Sequence, residues 1–198
     1  MKRIPFTITI LTILGVLVFP VKAQDDWQTY TSEDRQLSFQ YPNGWTAEPN
    51  EEGGIDVMSE ESLLVIPDEP EPLLPGQFKA SITFYDPTLN PDEIVIPFDG
   101  PPLYTLGFTS GIMALVFSLG EGFSGEEIEL SWGTPEEIEI NGIDAAIVRM
   151  DTKDDGLIMV WPLGEGRGIW IQFNCAKGEM DSWQDTIYKI AESIELKE

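Results

Sequence analysis

The feature that most constrains the fold is a group of C-terminal strands with apolar residues on both faces. Residues 136–140 and 143–148 flank Asn141-Gly142, the preferred two-residue turn of a β-hairpin. Apolar runs at 157–161 and 169–173 follow. In the second hairpin strand, Ile143, Ala145 and Ile147 share one side, and Ala146, Val148 and Met150 share the other. A sheet with one wet face shows a polar residue at every second position, so this pattern predicts a sheet covered on both faces.

Two segments are predicted to be the helical covers. The last segment has an apolar stripe at spacings of three and four, which is typical of a helix: Met180, Trp183, Ile187, Ile190 and Ile194. Residues 103–119 form a charge-free apolar run whose length also favours a helix. Its stripe of small residues, beginning with Gly107 and Gly111, is expected to pack tightly on the sheet. Insertion of this run into a membrane or a partner is the alternative. The predicted fold class is α+β, an α/β/α sandwich with a central antiparallel sheet and helices on both faces.

The N-terminal half is predicted to be made of short strands, at residues 27–31, 37–41, 55–58, 63–66 and 80–85. The strands at 55–58 and 63–66 are expected to pair with each other through residues 59–62. Residues 67–76 are rich in proline and acidic side chains and are predicted to form an exposed loop.

The first 23 residues have the three-part layout of a secretory signal. Lys2 and Arg3 precede an uncharged apolar run, and Val21-Lys22-Ala23 places small residues where a signal peptidase cuts, between Ala23 and Gln24. The apolar run of about sixteen residues is shorter than the roughly twenty of a spanning helix, which favours a cleaved signal over a retained anchor. The prediction is a signal peptide at 1–23 and a single domain at 24–198. The mature protein is expected to be secreted or extracytoplasmic (periplasm or cell surface), with no stable membrane span.

The chain is strongly acidic, with 35 Asp and Glu against 11 Lys and Arg and a formal net charge of −24. Such a protein repels phosphate backbones and anionic lipid headgroups, so nucleic-acid binding is excluded as an expectation. The partners that this charge favours are cations and basic protein surfaces. The alternative is that the charge only keeps an exported protein soluble.

The sequence lacks the usual catalytic side chains. It contains no histidine, which removes Ser-His and Cys-His nucleophile pairs and the commonest transition-metal ligand. Its one cysteine, Cys175, cannot form an intramolecular disulfide or a zinc site by itself. Because Cys175 ends an apolar strand, we expect it to be a buried hydrophobic residue. The chain is therefore predicted not to be an enzyme; hydrolysis by a pair of carboxylates is the unfavoured alternative.

Calcium or manganese is the one cofactor that the sequence suggests. Asp151, Asp154 and Asp155 crowd a predicted turn, and hard cations bind clustered oxygen ligands. The spacing does not match an EF-hand loop, and Lys153 lies among the acids, so solvated turn residues are the simpler interpretation. A divalent-cation-binding module remains an alternative function.

The chain resembles PsbP-like domains at both ends. The opening runs Trp27-x-x-Tyr30-Thr31-Ser32 and then Leu37-Ser38-Phe39-Gln40-Tyr41-Pro42-Asn43-Gly44-Trp45. The close has a hairpin centred on Gly142, two more strands, and a helix ending Ile190-Ala191-Glu192-Ser193-Ile194. The similarity spans about residues 25–196 and rests on hydrophobic patterns, so no functional residue is carried over.

The resemblance implies an α/β/α sandwich with a central antiparallel sheet, in agreement with the two-face pattern. PsbP-like domains range from extrinsic subunits of photosystem II to exported bacterial proteins, and they are mostly non-enzymatic binding or assembly modules. The leading hypothesis is an exported, non-catalytic module that binds an envelope or extracellular protein.

Overall fold

The computed structural model describes residues 26–32, 37–50, 53–64, 71–88, 97–111 and 130–196. Four sequence predictions fall partly or wholly elsewhere. The residues concerned are the signal peptide with its Ala23–Gln24 cleavage point, residues 65–66 of a predicted strand, residues 67–70 of the predicted exposed loop, and residues 112–119 of the middle helix.

The described part of the chain is mainly β-sheet with two α-helices. In chain order the elements are β1 (Trp27–Ser32), β2 (Leu37–Pro42), β3 (Thr46–Pro49), β4 (Ile55–Met58), a 3-10 helix (Glu61–Leu64), β5 (Phe78–Tyr85), α1 (102–111), β6 (Ser131–Trp132), β7 (Glu136–Ile140), β8 (Ile143–Asp151), β9 (Asp155–Gly164), β10 (Arg167–Cys175), α2 (Met180–Glu192) and β11 (Glu195–Leu196). Among these residues no helix has the length and apolar character needed to cross a membrane.

Two antiparallel sheets organise these strands. The larger sheet has eight strands in the order β3-β4-β5-β10-β9-β8-β6, and β7 also pairs with β8. The smaller sheet has the order β1-β2-β11. The last strand, β11, follows α2 directly and returns the chain to β2 near its beginning. Because β5 pairs with β10, the N-terminal and C-terminal strands share one sheet.

The predicted hairpin between β7 and β8 is confirmed. Ile140 pairs with Ile143, and Asn141 and Gly142 between them have φ values of 53° and 78°. A two-residue turn with positive φ at both positions matches the right-handed twist of the flanking strands. Asparagine and glycine are the residues that adopt this conformation at the lowest energetic cost.

The predicted pairing of residues 55–58 with 63–66 is wrong. Residues Glu61–Leu64 form a 3-10 helix, and β4 instead lies between β3 and β5. The eight-residue β5 alternates buried and half-buried positions along most of its length and offers β4 a longer apolar partner than residues 63–66 could. The burial of strand faces therefore determined the partner of β4, and it outweighed the closeness of residues 55–58 and 63–66 in the sequence.

One face of the larger sheet carries the main core and is covered by α2. Phe78, Ile171 and Phe173 are fully buried there against Ile187 and Ile190 of the helix. The predicted helical stripe is confirmed, although Ile194 lies just beyond the end of α2 at Glu192. Full burial of one such side chain stabilises the fold by about 1.5–3 kcal/mol. Because this face carries the larger of the two buried clusters, it contributes most of the hydrophobic stabilisation.

The second face of the larger sheet is divided. On β8 and β9 it is apolar, and a second buried cluster forms there with Leu106 of α1: Ala146, Val148, Met150, Ile158 and Val160. On β5 and β10 the same face carries half-buried polar side chains: Lys79, Ser81, Thr83, Gln172 and Asn174. The prediction of two apolar faces is therefore confirmed for β8 and β9, whereas on β10 Trp170 is the residue that packs against the second cluster.

Candidate functional site

The acidic turn that the sequence nominated for a cation joins β8 to β9. Asp154 accepts a hydrogen bond from the backbone N–H of Leu73 at 2.7 Å, and Asp155 accepts one from the N–H of Gly178 at 2.7 Å. Asp151 is paired with the Lys177 ammonium, which also lies 3.6 Å from an oxygen of Asp155. All three carboxylates thus have partners within the protein.

Burial and these contacts shift the pKa values of groups in this turn. Burial raises the pKa of Asp154, and the Leu73 N–H and Lys177 oppose that rise. The hydrogen bond to Asp151 raises the pKa of Lys177. Within the described ranges, no group of three or more Cys, Asp or Glu side chains is arranged to hold a metal ion. The calcium or manganese site at Asp151, Asp154 and Asp155 stays a prediction that a binding measurement must test.

Cys175 is the last residue of β10 and is fully buried, as its sequence position predicts. Burial raises its pKa to about 12, and the neighbouring negative charges of Asp155 and Glu179 add to the effect. Only the thiolate is nucleophilic, so this sulfur is unreactive at neutral pH.

A shallow groove lies between α2 and strand β8, next to the acidic turn. It consists of two clefts of about 130 Å³ and about 270 Å³, and Arg149 and Met180 line both of them. The Arg149 guanidinium forms a 2.6 Å ion pair with Asp181 across the groove, and both side chains are largely exposed. The groove is lined by both polar and apolar side chains, and Arg149 is already engaged by Asp181. Sequence reasoning missed it because β8 and α2 are brought together only by the fold.

The outward face of α1 is the largest departure from the sequence predictions. Tyr104 is 61% exposed, and Leu103 and Phe108 are each 39% exposed. Gly107 and Gly111 are also exposed, and a Cβ built on either glycine would meet nothing within 4 Å. The expectation that the small residues pack tightly on the sheet is therefore wrong for this pair. We call these five residues the α1 outer face.

The opposite side of α1 explains why the helix has this orientation. Thr105, Leu106 and Thr109 are buried. The Thr109 hydroxyl donates to the carbonyl of Thr105 at 2.8 Å, and the Thr105 hydroxyl donates to the carbonyl of Pro97 at 2.8 Å. Because both hydroxyls are satisfied by nearby backbone, the threonines can be buried at little cost. Hydrophobicity alone would favour the opposite orientation, with the aromatic side chains buried and the threonines in solvent.

The loop before α1 fixes the helix to the end of the sheet. Phe98 is 1% exposed, and its ring lies tilted against that of Tyr85, with 5.8 Å between ring centroids. Its ring occupies the space where a side chain at Gly168 would lie. The carboxylate of Asp99 accepts a hydrogen bond from the N–H of Gly166 at 2.5 Å. These contacts hold the start of α1 while its outer face remains in solvent.

Comparisons with known proteins identify solved structures that have a similar fold. No protein-family model and no curated protein matches the chain. Among solved structures, the cyanobacterial PsbP (CyanoP) from Synechocystis sp. PCC 6803 is 13% identical, with a TM-score of 0.51 over 86% of this chain and 92% of that one. The Ran-binding protein Mog1p of Saccharomyces cerevisiae is 10% identical, with a TM-score of 0.49 over 86% of this chain and 95% of its own.

A third similar structure is LpqN of Mycobacterium tuberculosis, which is described as involved in cell envelope biogenesis. It is 11% identical, with a TM-score of 0.41 over 89% of this chain and 88% of its own. Identity this low establishes the fold alone. The similarity to cyanobacterial PsbP, together with the antiparallel sheet and its covering helix, shows that this chain has the PsbP-like fold.

Proposed function

We propose that this chain is an exported, non-catalytic binding module that docks a partner protein through the α1 outer face. The observation that carries the proposal is the exposure of Leu103, Tyr104 and Phe108 on one side of a helix. Clustered exposed apolar side chains mark interaction sites more often than isolated ones do. Aromatic residues are also the side chains that contribute most at protein interfaces.

The chemistry of the side chains that could act in catalysis supports a binding function over an enzymatic one. The chain has no histidine to act as a general base. Cys175 is buried and protonated at neutral pH, and the acids of the β8–β9 turn are engaged by Lys177 and by backbone N–H groups. A general base or nucleophile must be free to reach its substrate, and these groups are already occupied.

The finer architecture and the location belong to the same proposal. Leu106 packs on the apolar part of the second sheet face, which supports an arrangement in which α1 covers the side opposite α2. The signal-like residues 1–23 support export, with residues 24–198 as the mature domain at the cell envelope or outside the cell. In this arrangement the α1 outer face is accessible to partners outside the cytoplasm.

Site-specific photo-cross-linking tests the proposal. A photoreactive phenylalanine analogue replaces Tyr104 in the full chain, which is expressed in its own host and irradiated in intact cells. A matched analogue replaces Leu74, which is 63% exposed beside the acidic turn, at the other end of β9 and β10 from the Gly166 contact of Asp99. We expect a discrete cross-linked protein from position 104 that is absent from position 74. No cross-link at 104, or identical products at both positions, would refute docking through this face.

A further inference from the structure

We infer that the partner docking on the α1 outer face is a basic, amphipathic protein segment, in which an apolar anchor is flanked by Lys or Arg. This inference rests on the proposed function and identifies the chemistry of its partner. It combines the apolar character of the face with the charge of the surface around it.

The α1 outer face has room for an apolar anchor. Tyr104 and Phe108 are one helical turn apart, and the exposed Gly107 and Gly111 leave the surface beside them open. Side chains four residues apart lie on the same side of a helix, so the two rings border one patch. The helix itself carries no charged residue. An anchor of similar apolar chemistry would bury the rings and exclude water from them.

In sequence, the chain on both sides of the helix is acidic. Every charged side chain from residue 80 to residue 148 is Asp or Glu, and α1 lies in the middle of this stretch. Asp99 lies three residues before the helix and holds its loop through Gly166. Next to that contact, Arg167 lies 3.7 Å from Glu165 in an ion pair, which offsets its charge. A segment that docks here therefore approaches a negative field, which attracts cationic flanks and repels acidic ones.

The negative charge of the chain argues against two other candidate partners for this face, a second copy of the chain and an anionic membrane. A second copy of this chain would bring two proteins of net charge −24 together through their acidic segments. Anionic lipid headgroups would meet the same repulsion. A basic partner gains from both the apolar contact and the field, so it is the occupant that the surface favours.

Binding of designed peptides to the mature chain tests this inference. Three fluorescent helical peptides share one apolar face and carry Lys, Gln or Glu at all other positions, and their affinities are measured by anisotropy. Because the Debye length is about 10 Å at 0.1 M salt, the measurement is made at low ionic strength and repeated near 0.5 M. We expect the Lys peptide to bind about tenfold more tightly than the Gln peptide at low salt, with a smaller advantage at high salt. The Glu peptide should not bind.

Two variants and one control connect the binding to α1. We expect Tyr104→Ser with Phe108→Ser to weaken Lys-peptide binding by about tenfold or more, in line with the loss of two aromatic anchors. Tyr104→Ser alone should weaken it by a smaller factor, and because Tyr104 is 61% exposed we expect this variant to fold normally. Leu74→Ser, at an exposed leucine beside the acidic turn and outside the α1 outer face, should leave the affinity unchanged.

The outcomes separate the inference from the proposed function. Equal binding of the Lys and Gln peptides, preferential binding of neutral or anionic vesicles, or an effect of Leu74→Ser equal to that of the α1 variants would overturn the inference. A cross-link from position 104 to a partner whose contact segment is acidic would also overturn it, while leaving docking through α1 intact. Absence of that cross-link would refute the proposed function itself.

Discussion

The contact between Phe98 and Gly168 makes a quantitative prediction about how α1 is held on the sheet. The Cβ atom of an alanine at position 168 would overlap the Phe98 ring, and that ring is buried at 1% exposure. Forcing an extra methyl group into a packed site costs about 1–3 kcal/mol. Against this, alanine in a strand interior is favoured over glycine by about 0.5–1 kcal/mol. Gly168→Ala should therefore destabilise the protein by about 1–2 kcal/mol on balance.

A double-mutant cycle isolates this contact. Phe98→Ala alone should lower the free energy of unfolding by about 3–5 kcal/mol, because it removes a fully buried ring. In the Phe98→Ala background the overlap is gone, so Gly168→Ala should become neutral or stabilising by about 0.5 kcal/mol. The coupling free energy between the two positions should then be about 1–2.5 kcal/mol.

Urea unfolding of the mature chain, followed by tryptophan fluorescence, measures all four free energies. The m-value should stay constant, so that shifts in the midpoint report stability alone. If Gly168→Ala has the same effect with and without Phe98, the two residues do not meet as described. In that case the attachment of α1 would have to be reconsidered, together with the orientation of its outer face.

Four further predictions address the remaining features. Gly107→Ala should raise the free energy of unfolding by about 1 kcal/mol, because alanine is the better helix former and the added Cβ meets no neighbour; a loss of stability in urea unfolding would show that this face is packed. Cys175 should not react with a thiol reagent at pH 8 in the folded protein and should react fully in urea, since its pKa is raised to about 12; rapid labelling of the folded state would contradict its burial. Asp154→Asn should raise the melting temperature at neutral pH, because burial raises the carboxyl pKa in the folded state and so penalises its ionised form. That gain should disappear as the pH falls through the raised pKa towards the ordinary value of 3.8, and a gain that grows at low pH would refute the stated sign. If Asp151, Asp154 and Asp155 bind calcium or manganese, millimolar metal at constant ionic strength should raise the melting temperature, and Asp155→Asn should abolish the rise; an unchanged melting temperature would eliminate the site.

Local patterns predicted those elements whose formation depends on nearby residues. The Asn141-Gly142 hairpin and the stripe of α2 were predicted correctly, because turn conformation and helical periodicity are set within a few residues. The burial of Cys175 was predicted for the same reason, since it closes an apolar strand. The PsbP-like fold was predicted from such patterns at both ends of the chain, and the solved structures support it.

The candidate site was much less predictable. The acidic turn was identified from sequence, but its partners Leu73, Lys177 and Gly178 come from other parts of the chain. The outward orientation of Tyr104 and Phe108 depends on the burial of two threonines, whose hydroxyls are satisfied by carbonyl groups that only the folded backbone places within reach.

By itself, the sequence determined the C-terminal hairpin and the helical stripe of α2, the acidic character of the chain and the absence of histidine, because these follow from residue identity and short-range spacing. The tertiary structure decided which strands became neighbours, that β4 pairs with β3 and β5, and which side of α1 faces solvent. Those outcomes depend on contacts between residues far apart in the chain, where burial of whole faces outweighs local preference.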